Sequence, residues 1–236
     1  KALNDFQNAN SSAVVTLADA LPVSGDMTTN ANSTTDITGN DLTVTGTFSH
    51  DGTIQLEGTE TVTLTQDTDS GTFEYLGNGT GSALLIDIID FGATDYYNLI
   101  VNDASASNDD TFQLGAALGI ANDFTVTDGT FETDDFAVDV DGSTLIDINA
   151  VLEASSTTFN VGTDWRTLGT FNVGTSTVIL DGTGDQDVFG ANSFYNLTLA
   201  NTGATRTIGF EEDLTQTVAG AFNADFAAGQ FGTIRT

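Results

Sequence analysis

The chain repeats itself, and an internal repeat constrains the fold more than any other feature of a sequence. The phrase GTFSHDGTIQLEGT at residues 46–59 returns in nearly the same form as GTFNVGTSTVILDGTG at residues 169–184. Longer stretches also match, with equivalent residues 97 and then 96 positions apart at Leu17, Leu114 and Phe210. We therefore predict one elongated domain over residues 1–236, divided into copy 1 (about 1–96), copy 2 (about 97–194) and a partial copy 3 (about 195–236).

A shorter unit lies inside this long repeat. The two copies of the phrase are 123 residues apart, 26 more than the long period, and Gly-Thr-Phe also recurs 25 residues apart at Gly46 and Gly71. A solenoid tolerates an added unit of this size, because each coil pairs only with the coils before and after it. The sequence therefore predicts an all-β fold, a parallel β-helix (β-solenoid) of roughly nine or ten coils of about 25 residues.

Short strands are expected to fill these coils. Val62 and Leu64 alternate with polar residues in TVTLTQ (residues 61–66), and Phe136, Val138 and Val140 lead a similar alternation in FAVDVDG. Side chains two residues apart in a strand lie on the same face, so we expect these five to point inward. The 16 Phe residues should stack along the axis, with Asp, Asn and Thr outside.

The charge of the chain excludes some classes of partner. Lys and Arg total 4 against 34 Asp and Glu, and the net charge is −30 at pH 7. Nucleic acid is excluded, because no basic stripe could replace its counterions, and the internal Arg166 and Arg206 are expected to be structural. Membrane insertion is not predicted either, since the most apolar stretch, residues 83–89, is short and contains Asp87. The absence of Cys fits a secreted bacterial or archaeal surface protein without disulfides and is equally compatible with a cytosolic one.

Gly-, Thr- and Asn-rich phrases carry a resemblance to known repeats. Residues 41–48 (DLTVTGTF), 169–184 and 194–199 (FYNLTL) resemble the repeats of very large secreted bacterial and archaeal cell-surface proteins, which are predicted to form parallel β-helices. The weaker long repeat extends this resemblance over most of the chain. It implies an extracellular or cell-surface location and a scaffolding or adhesive role, and it brings no catalytic residues with it.

Candidate catalytic groups have simpler structural explanations. The pairs Asp109-Asp110 and Asp134-Asp135 could act as the carboxylates of a polysaccharide hydrolase, but adjacent acids are expected at turns in so acidic a chain. Such an enzyme would also need a Gly-His-Gly sequence and basic substrate-binding residues, which the sequence lacks. His50 has no second His and no Cys with which to bind zinc, and we expect it to be an exposed turn residue. No enzymatic activity is predicted.

Acidic glycine turns are candidates for calcium binding, because Ca²⁺ prefers several carboxylate and carbonyl oxygens. The turns DTDSG, DVDG and DGTGDQD supply the candidate ligands Asp67, Asp69, Asp139, Asp141, Asp181, Asp185 and Asp187. None of these turns completes an EF-hand loop, and diffuse counterion binding is the alternative. The sequence requires no cofactor, and Ca²⁺ is the one ion that it suggests.

Two further sets of residues concern glycans. Asn-x-Ser/Thr sequons, which are acceptors where the source organism glycosylates, place candidate glycosylation sites at Asn10, Asn32, Asn78 and Asn196. A carbohydrate-binding adhesin would need an exposed aromatic strip, for which the candidates are Tyr96, Tyr97, Trp165 and Tyr195. Coverage of coil ends or corners is the alternative role for these aromatic residues.

The expected function is structural. A solenoid leaves unpaired backbone at both ends unless a cap covers it, and both ends of this sequence resemble the middle of a repeat. The chain is therefore expected to be a fragment of a longer protein or to associate end to end by β-augmentation. We predict a structural subunit or segment of an extracellular fibre, stalk or surface layer. A carbohydrate-binding adhesin module is the alternative, and a polysaccharide-degrading β-helix enzyme is a less favoured one.

Overall fold

The structure, a computed structural model, describes residues 1–201, 205–226 and 232–235, and in these ranges it contains 28 short strands and no helix. The first fourteen strands are β1 (Phe6–Asn8), β2 (Val14–Thr16), β3 (Leu21–Val23), β4 (Met27–Thr29), β5 (Thr34–Asp36), β6 (Leu42–Val44), β7 (Phe48–His50), β8 (Thr53–Leu56), β9 (Val62–Thr63), β10 (Thr72–Tyr75), β11 (Leu85–Asp87), β12 (Asn98–Asn102), β13 (Thr111–Gln113) and β14 (Leu118–Ile120). The others are β15 (Phe124–Glu132), β16 (Val138–Val140), β17 (Thr144–Glu153), β18 (Thr158–Val161), β19 (Trp165–Thr167), β20 (Thr170–Asn172), β21 (Thr177–Leu180), β22 (Gln186–Phe189), β23 (Ser193–Phe194), β24 (Asn196–Asn201), β25 (Arg206–Phe210), β26 (Thr217–Val218), β27 (Phe222–Phe226) and β28 (Gly232–Arg235).

Eleven of these strands form one parallel ladder. Its order is β2-β5-β8-β10-β12-β15-β17-β19-β22-β25-β28, and every neighbouring pair is parallel. Each inner strand of the ladder pairs with the strand one turn before it and the strand one turn after it, so the chain winds as a β-solenoid of about 10 turns. The predicted fold class is confirmed. The division into copies of 97 residues stays a prediction, and residues 202–204, 227–231 and 236 of copy 3 lie outside the described residues.

The turns are shorter than the repeated phrase suggested. They contain about 21 residues, where about 25 were predicted. The N–H of Gly46 donates to the carbonyl of Gly25 in the preceding turn, whereas Gly71 lies just before Thr72, which pairs with Thr53. The two Gly-Thr-Phe phrases therefore occupy different positions in their turns, and their spacing does not measure a turn.

Most turns contribute three strands. In the N-terminal part, the sheets β1-β4-β7 and β3-β6-β9 lie on either side of the main ladder in the chain order of each turn. Further along, the sheet β14-β16-β18-β21-β24-β27 accompanies the ladder. Glycines allow the backbone of successive turns to approach at one corner, because a Cβ on Gly142 or Gly162 would lie 2.3 or 2.1 Å from a carbonyl oxygen of the turn before.

The core is a continuous column of aliphatic and aromatic side chains inside the solenoid. Most neighbouring rings pack edge-on or tilted, as in the contact of Phe124 with Phe131 at a centroid distance of 4.8 Å, while Phe48 and His50 are stacked. Val138 and Val140 are buried as predicted. The inward orientation predicted for Phe136 is wrong, because it belongs to a turn in which its N–H donates to the carbonyl of Thr133, and its side chain is exposed.

Candidate functional site

Three carboxylates meet in the loop between β12 and β13. The side chains of Asp103, Asp109 and Asp110 each offer an oxygen within 4.8 Å of the others. Asp103 and Asp110 are buried, with 3% and 0% of their surface exposed. They lie at the two ends of the loop, one directly after β12 and the other directly before β13, so the backbone path of a single turn brings them together.

Backbone N–H groups stabilise the two buried carboxylates. Asp103 accepts hydrogen bonds from the N–H of Ser105 at 2.8 Å and of Asp110 at 2.9 Å. Asp110 accepts from the N–H of Asn78 at 2.7 Å and of Leu84 at 2.8 Å. A buried carboxylate costs free energy unless such donors surround it. The hydrogen bonds of Asp110 therefore tie residues 78–84 to this loop, and we call the three carboxylates the clamp.

The sequence did not reveal this clamp. Asp109-Asp110 was interpreted as a pair of turn residues, which is wrong for Asp110 because it is buried and holds a second loop. The interpretation is confirmed for Asp134 and Asp135, which are exposed turn residues with φ of 47° and 67°. The signal in the sequence was a pair of aspartates that bracket one loop. Asp103 directly follows a strand, and Asp110, seven residues later, directly precedes the next strand.

The predicted calcium ligands Asp67 and Asp69 line an open cleft of about 630 Å³ beside β7. One carboxylate oxygen of Asp67 accepts the N–H of His50 at 2.7 Å, and the other faces the N–H of Asp69 at 3.3 Å. A side-chain hydrogen bond to Asp67 raises the pKa of Asp69, as expected for two carboxyl groups that compete to ionise. The cleft thus brings two of the seven predicted ligands together.

The other five predicted ligands lie elsewhere, in two places. Asp139, Asp141 and Asp181 are close enough to interact, since burial and then repulsion from Asp139 raise the pKa of Asp181. Asp185 accepts the N–H of Thr207, while Asp187 forms an ion pair with Arg235 at 2.7 Å. None of the seven belongs to the three-carboxylate group that the described residues contain, and calcium binding stays a prediction.

Two of the four aromatic residues predicted to contact glycans cannot do so. Tyr96 and Trp165 are fully buried, and the indole N–H of Trp165 donates to the Oδ1 of Asn192 at 3.0 Å inside the core. The predicted strip is therefore wrong for these two residues, whose rings are large apolar side chains of the interior. Tyr97 is half-buried and Tyr195 is 36% exposed, so only these two could meet a ligand.

His50 lies in the core, and its predicted exposure is wrong. It is the last residue of β7, in which Phe48 and His50 point inward. Its Nδ1 is 2.6 Å from the Oγ1 of Thr29, and its Nε2 lies 3.1 Å from the nitrogen and 3.0 Å from the oxygen of Thr72. Burial lowers the pKa of His50. The alternation of β7 was the signal for this, because Phe48 fixes the face on which residue 50 must lie.

The four sequons differ in accessibility. Asn10 and Asn32 have exposed side chains. The Nδ2 of Asn78 donates to the carbonyl of Ser82 at 2.5 Å, and the Nδ2 of Asn196 donates to the Oγ1 of Thr177 at 3.2 Å. Glycosylation stays a prediction at all four, and the geometry favours the first two because their amide nitrogens are not held in this way.

Comparison with protein-family models, with curated proteins and with solved structures gives no match. The architecture itself therefore defines the class: the chain is an acidic, all-β parallel β-solenoid of about 10 turns. The described residues contain no helix long and apolar enough to cross a membrane.

Proposed function

We propose that this chain is a structural unit of an extracellular fibre, stalk or surface layer, in which turns stack end to end. The observation that carries the proposal is the eleven-strand parallel ladder, which gives the chain the form of a rod. Ten turns at the usual strand separation of about 4.8 Å span about 48 Å. The proposed role is mechanical: the chain contributes a rigid rod of defined length.

The first and last strands of the ladder support stacking. In the described chain β2 pairs only with β5, and β28 pairs only with β25, so each has one edge that can accept another strand. Another turn can be added there by more of the same polypeptide or by a second copy. The proposal covers both cases, because in each the added turn pairs with the open edge of β2 or of β28.

Apolar side chains near both ends of the ladder favour such contacts. Val14 in β2 is 52% exposed, and Ile234 in β28 is 47% exposed. Near β28 an apolar cavity of about 420 Å³ is lined in part by Leu214, Phe222 and Ile234. Burial of this surface would stabilise a stacked assembly by about 25 cal/mol per Å² of apolar area.

Charge opposes the assembly and makes it sensitive to ions. A net charge of −30 on each copy repels another copy, and salt or divalent cations screen this repulsion. Arg235, the last residue of β28, already pairs with Asp187 of its own chain. We therefore expect stacking to increase with salt and with millimolar calcium. The extracellular location is part of the proposal and rests on the resemblance of the repeats to those of secreted surface proteins.

The test is electron microscopy of the purified chain together with its mass in solution, at low and high salt and with or without calcium. Filaments with an axial repeat of about 48 Å are expected. Ile234→Asp should abolish them, because it places a charge at the stacking end. Ile148→Asp is the matched control, since Ile148 is 72% exposed within the long strand β17 and far from either end of the ladder. Monomers in all conditions, or equal effects of the two variants, would overturn end-to-end assembly.

A further inference from the structure

A groove of about 270 Å³ lies on the outer face of the main ladder, across β15, β17, β19 and β22. We call it the Arg166 groove and define it by Asp123, Ser143, Leu145, Asp164, Arg166 and Phe189. It occupies the sixth to the ninth of the eleven ladder strands, and Phe189 at its far side also lines a smaller cavity that reaches Arg235 in β28. Its members are outward side chains of four successive turns, so their spacing is set by the ladder itself.

Two parallel rows of side chains form the groove. Phe124 pairs with Thr144 and Thr144 with Trp165, so the preceding residues Asp123, Ser143 and Asp164 stand in one row. Leu145 pairs with Arg166 and Arg166 with Phe189, which gives the second row. Members of one row are about 4.8 Å apart and the rows are about 7 Å apart.

Arg166 and the ring of Phe189 are neighbours in the second row. The guanidinium carbon of Arg166 lies 6.0 Å from the centroid of the Phe189 ring. Arg166 is exposed, and within the described ranges the ion pair found is that of Arg235 with Asp187, so the donors of Arg166 are open to a ligand. Half-buried Leu145 continues the apolar surface beside them.

The carboxylates of the first row are held in place and still able to accept hydrogen bonds. Oδ1 of Asp123 accepts the N–H of Ser143 at 2.8 Å, and Oδ1 of Asp164 accepts the N–H of Asp187 at 2.8 Å. Asp164 is thereby fixed through one oxygen, whereas the Oδ2 of Asp123 also accepts a side-chain N–H of Asn122 at 3.4 Å. The second oxygen of each can accept a hydroxyl proton without a change of side-chain conformation, which lowers the entropic cost of binding.

Charge decides which ligand fits. A polyanion is repelled by the net charge of −30. A cationic peptide is attracted by Asp123 and Asp164 but meets Arg166 between them, and oligolysine is therefore a comparator in the test. A neutral ligand rich in hydroxyl groups satisfies both conditions: its hydroxyls donate to Asp123 and Asp164 and accept from Arg166, and its C–H groups pack against Phe189 beside the guanidinium that lies over the ring.

We propose that the Arg166 groove binds a neutral carbohydrate, with one sugar ring packed on Phe189. The cavity volume of about 270 Å³ is just below the range of about 300–1,000 Å³ usual for drug-sized ligands, which suits one or two sugar rings of a longer chain. The groove is independent of end-to-end stacking, and it uses none of the four aromatic residues that the sequence suggested for glycan contact.

Affinity electrophoresis and saturation-transfer NMR on the full chain test the proposal. The neutral probes are hydroxyethyl cellulose, laminarin, mannan, dextran and galactan, and the charged comparators are alginate and oligolysine. At least one neutral probe should bind, with an affinity that changes less than twofold between about 0.05 and about 0.5 M NaCl, since no net charge is screened.

Groove variants then locate the binding. Phe189→Ala and Arg166→Ala should each weaken the affinity at least tenfold, and the exposed Arg166 can be replaced without loss of core packing. Phe136→Ala, at an exposed phenylalanine outside the groove, is the matched control and should change the affinity less than twofold. The proposal is overturned if no neutral probe binds, if binding survives both groove variants, or if alginate or oligolysine alone binds with a steep loss in salt.

Discussion

The carboxylate Oδ1 of Asp26 accepts the backbone N–H of Thr47, one full turn further along the chain, at 2.8 Å. The same relationship links other aspartates to an N–H 20 to 23 residues later. The other pairs are Asp5 with Asp26, Asp41 with Thr61, Asp123 with Ser143, Asp135 with Ser156, Asp164 with Asp187 and Asp185 with Thr207. Part of the large negative charge is therefore structural, because these carboxylates pair N–H groups at positions where the strand ladder is interrupted.

Removal of one of these carboxylates should weaken the solenoid slightly. Asp26→Ala deletes the acceptor for Thr47, and because the bond is exposed we expect a loss of about 0.5–1 kcal/mol in the free energy of unfolding. Asp26→Asn keeps an acceptor oxygen and should lose less. Urea unfolding followed by circular dichroism measures both. Asp19→Ala is the control, at an exposed aspartate with no carboxylate hydrogen bond among the described residues; a loss equal to that of Asp26→Ala would refute the assignment.

The fold class was predictable because successive turns of a solenoid have similar sequences, even where their lengths differ. Strands such as β6 and β7 show the two-residue alternation, and a parallel ladder follows once similar strands recur at short, regular intervals. The spacing of Gly46 and Gly71 did not give the turn length, because these two glycines occupy different positions in their turns. Each position requires a small residue before Thr-Phe, so the same phrase appears at both. Equivalent residues differ by 19 positions between Gln55 and Glu74 and by 25 between Asn98 and Asp123, so no single spacing describes the chain.

The candidate sites were less predictable than the fold, for a related reason. Arg166 and Phe189 are 23 residues apart in the sequence, and they meet only because the register of β19 on β22 places them directly opposite each other. Asp110 holds Asn78, 32 residues earlier, across the longest turn of that region. Contacts of this kind depend on the length of each individual turn, which the composition and the local motifs do not encode.

A closed hydrogen-bond circuit joins Tyr75 and Tyr96 in the core, and its loss should be costly. The two hydroxyls are 2.8 Å apart, the Tyr75 hydroxyl accepts the N–H of Ile89 at 3.0 Å, and the Tyr96 hydroxyl donates to the carbonyl of Ile89 at 2.7 Å. Tyr96→Phe leaves that carbonyl without its donor, and we expect a loss of about 1–3 kcal/mol in the free energy of unfolding. Desolvation by burial raises the pKa of both tyrosines, in keeping with neutral hydroxyls.

A double-mutant cycle in urea separates this circuit from simple packing. If the hydroxyls act together, Tyr75→Phe combined with Tyr96→Phe should cost less than the sum of the two single variants. Additive losses would show that the two hydroxyls are energetically independent and would contradict the circuit.

Arg206 is buried, and the part of the chain that the structure describes places no carboxylate in hydrogen-bond contact with it; we expect it to be essential for the local fold. Its guanidinium donates to the carbonyls of Leu180 at 2.6 Å and Gly182 at 2.7 Å, and to the side chain of Gln186. Desolvation by burial lowers the pKa of Arg206. Arg206→Leu leaves these acceptors unpaired and should cost at least about 3 kcal/mol in urea unfolding. Arg166→Leu, at an exposed arginine, should change the free energy of unfolding by less than about 0.5 kcal/mol; similar losses in the two variants would contradict this role.

The buried His50 should make the stability of the protein depend on pH below neutrality. Its pKa in the folded chain is lowered from 6.5 by desolvation, against smaller opposing effects of Thr72, Asp67 and Asp51. In the unfolded chain the imidazole binds a proton near pH 6.5, so the unfolded state holds more protons than the folded state just below that pH. The contribution of His50 is therefore complete above pH 6.5 and is lost as the pH falls toward the folded pKa, by at most about 1.4 kcal/mol per pH unit.

Comparison with His50→Gln isolates this effect, because the carboxylates titrate in both proteins and largely cancel in the difference. At about pH 7.5, roughly one unit above the pKa of an unperturbed imidazole, the wild type should be the more stable, since Gln must replace both hydrogen bonds of the ring. As the pH is lowered to about 5.5, roughly one unit below that pKa, the difference in the free energy of unfolding should narrow. Urea titrations at several pH values measure it. A difference that stays constant would mean that the folded imidazole takes up its proton as readily as the unfolded one, and a difference that widens as the pH falls would mean that it does so more readily; either result would contradict the lowered pKa.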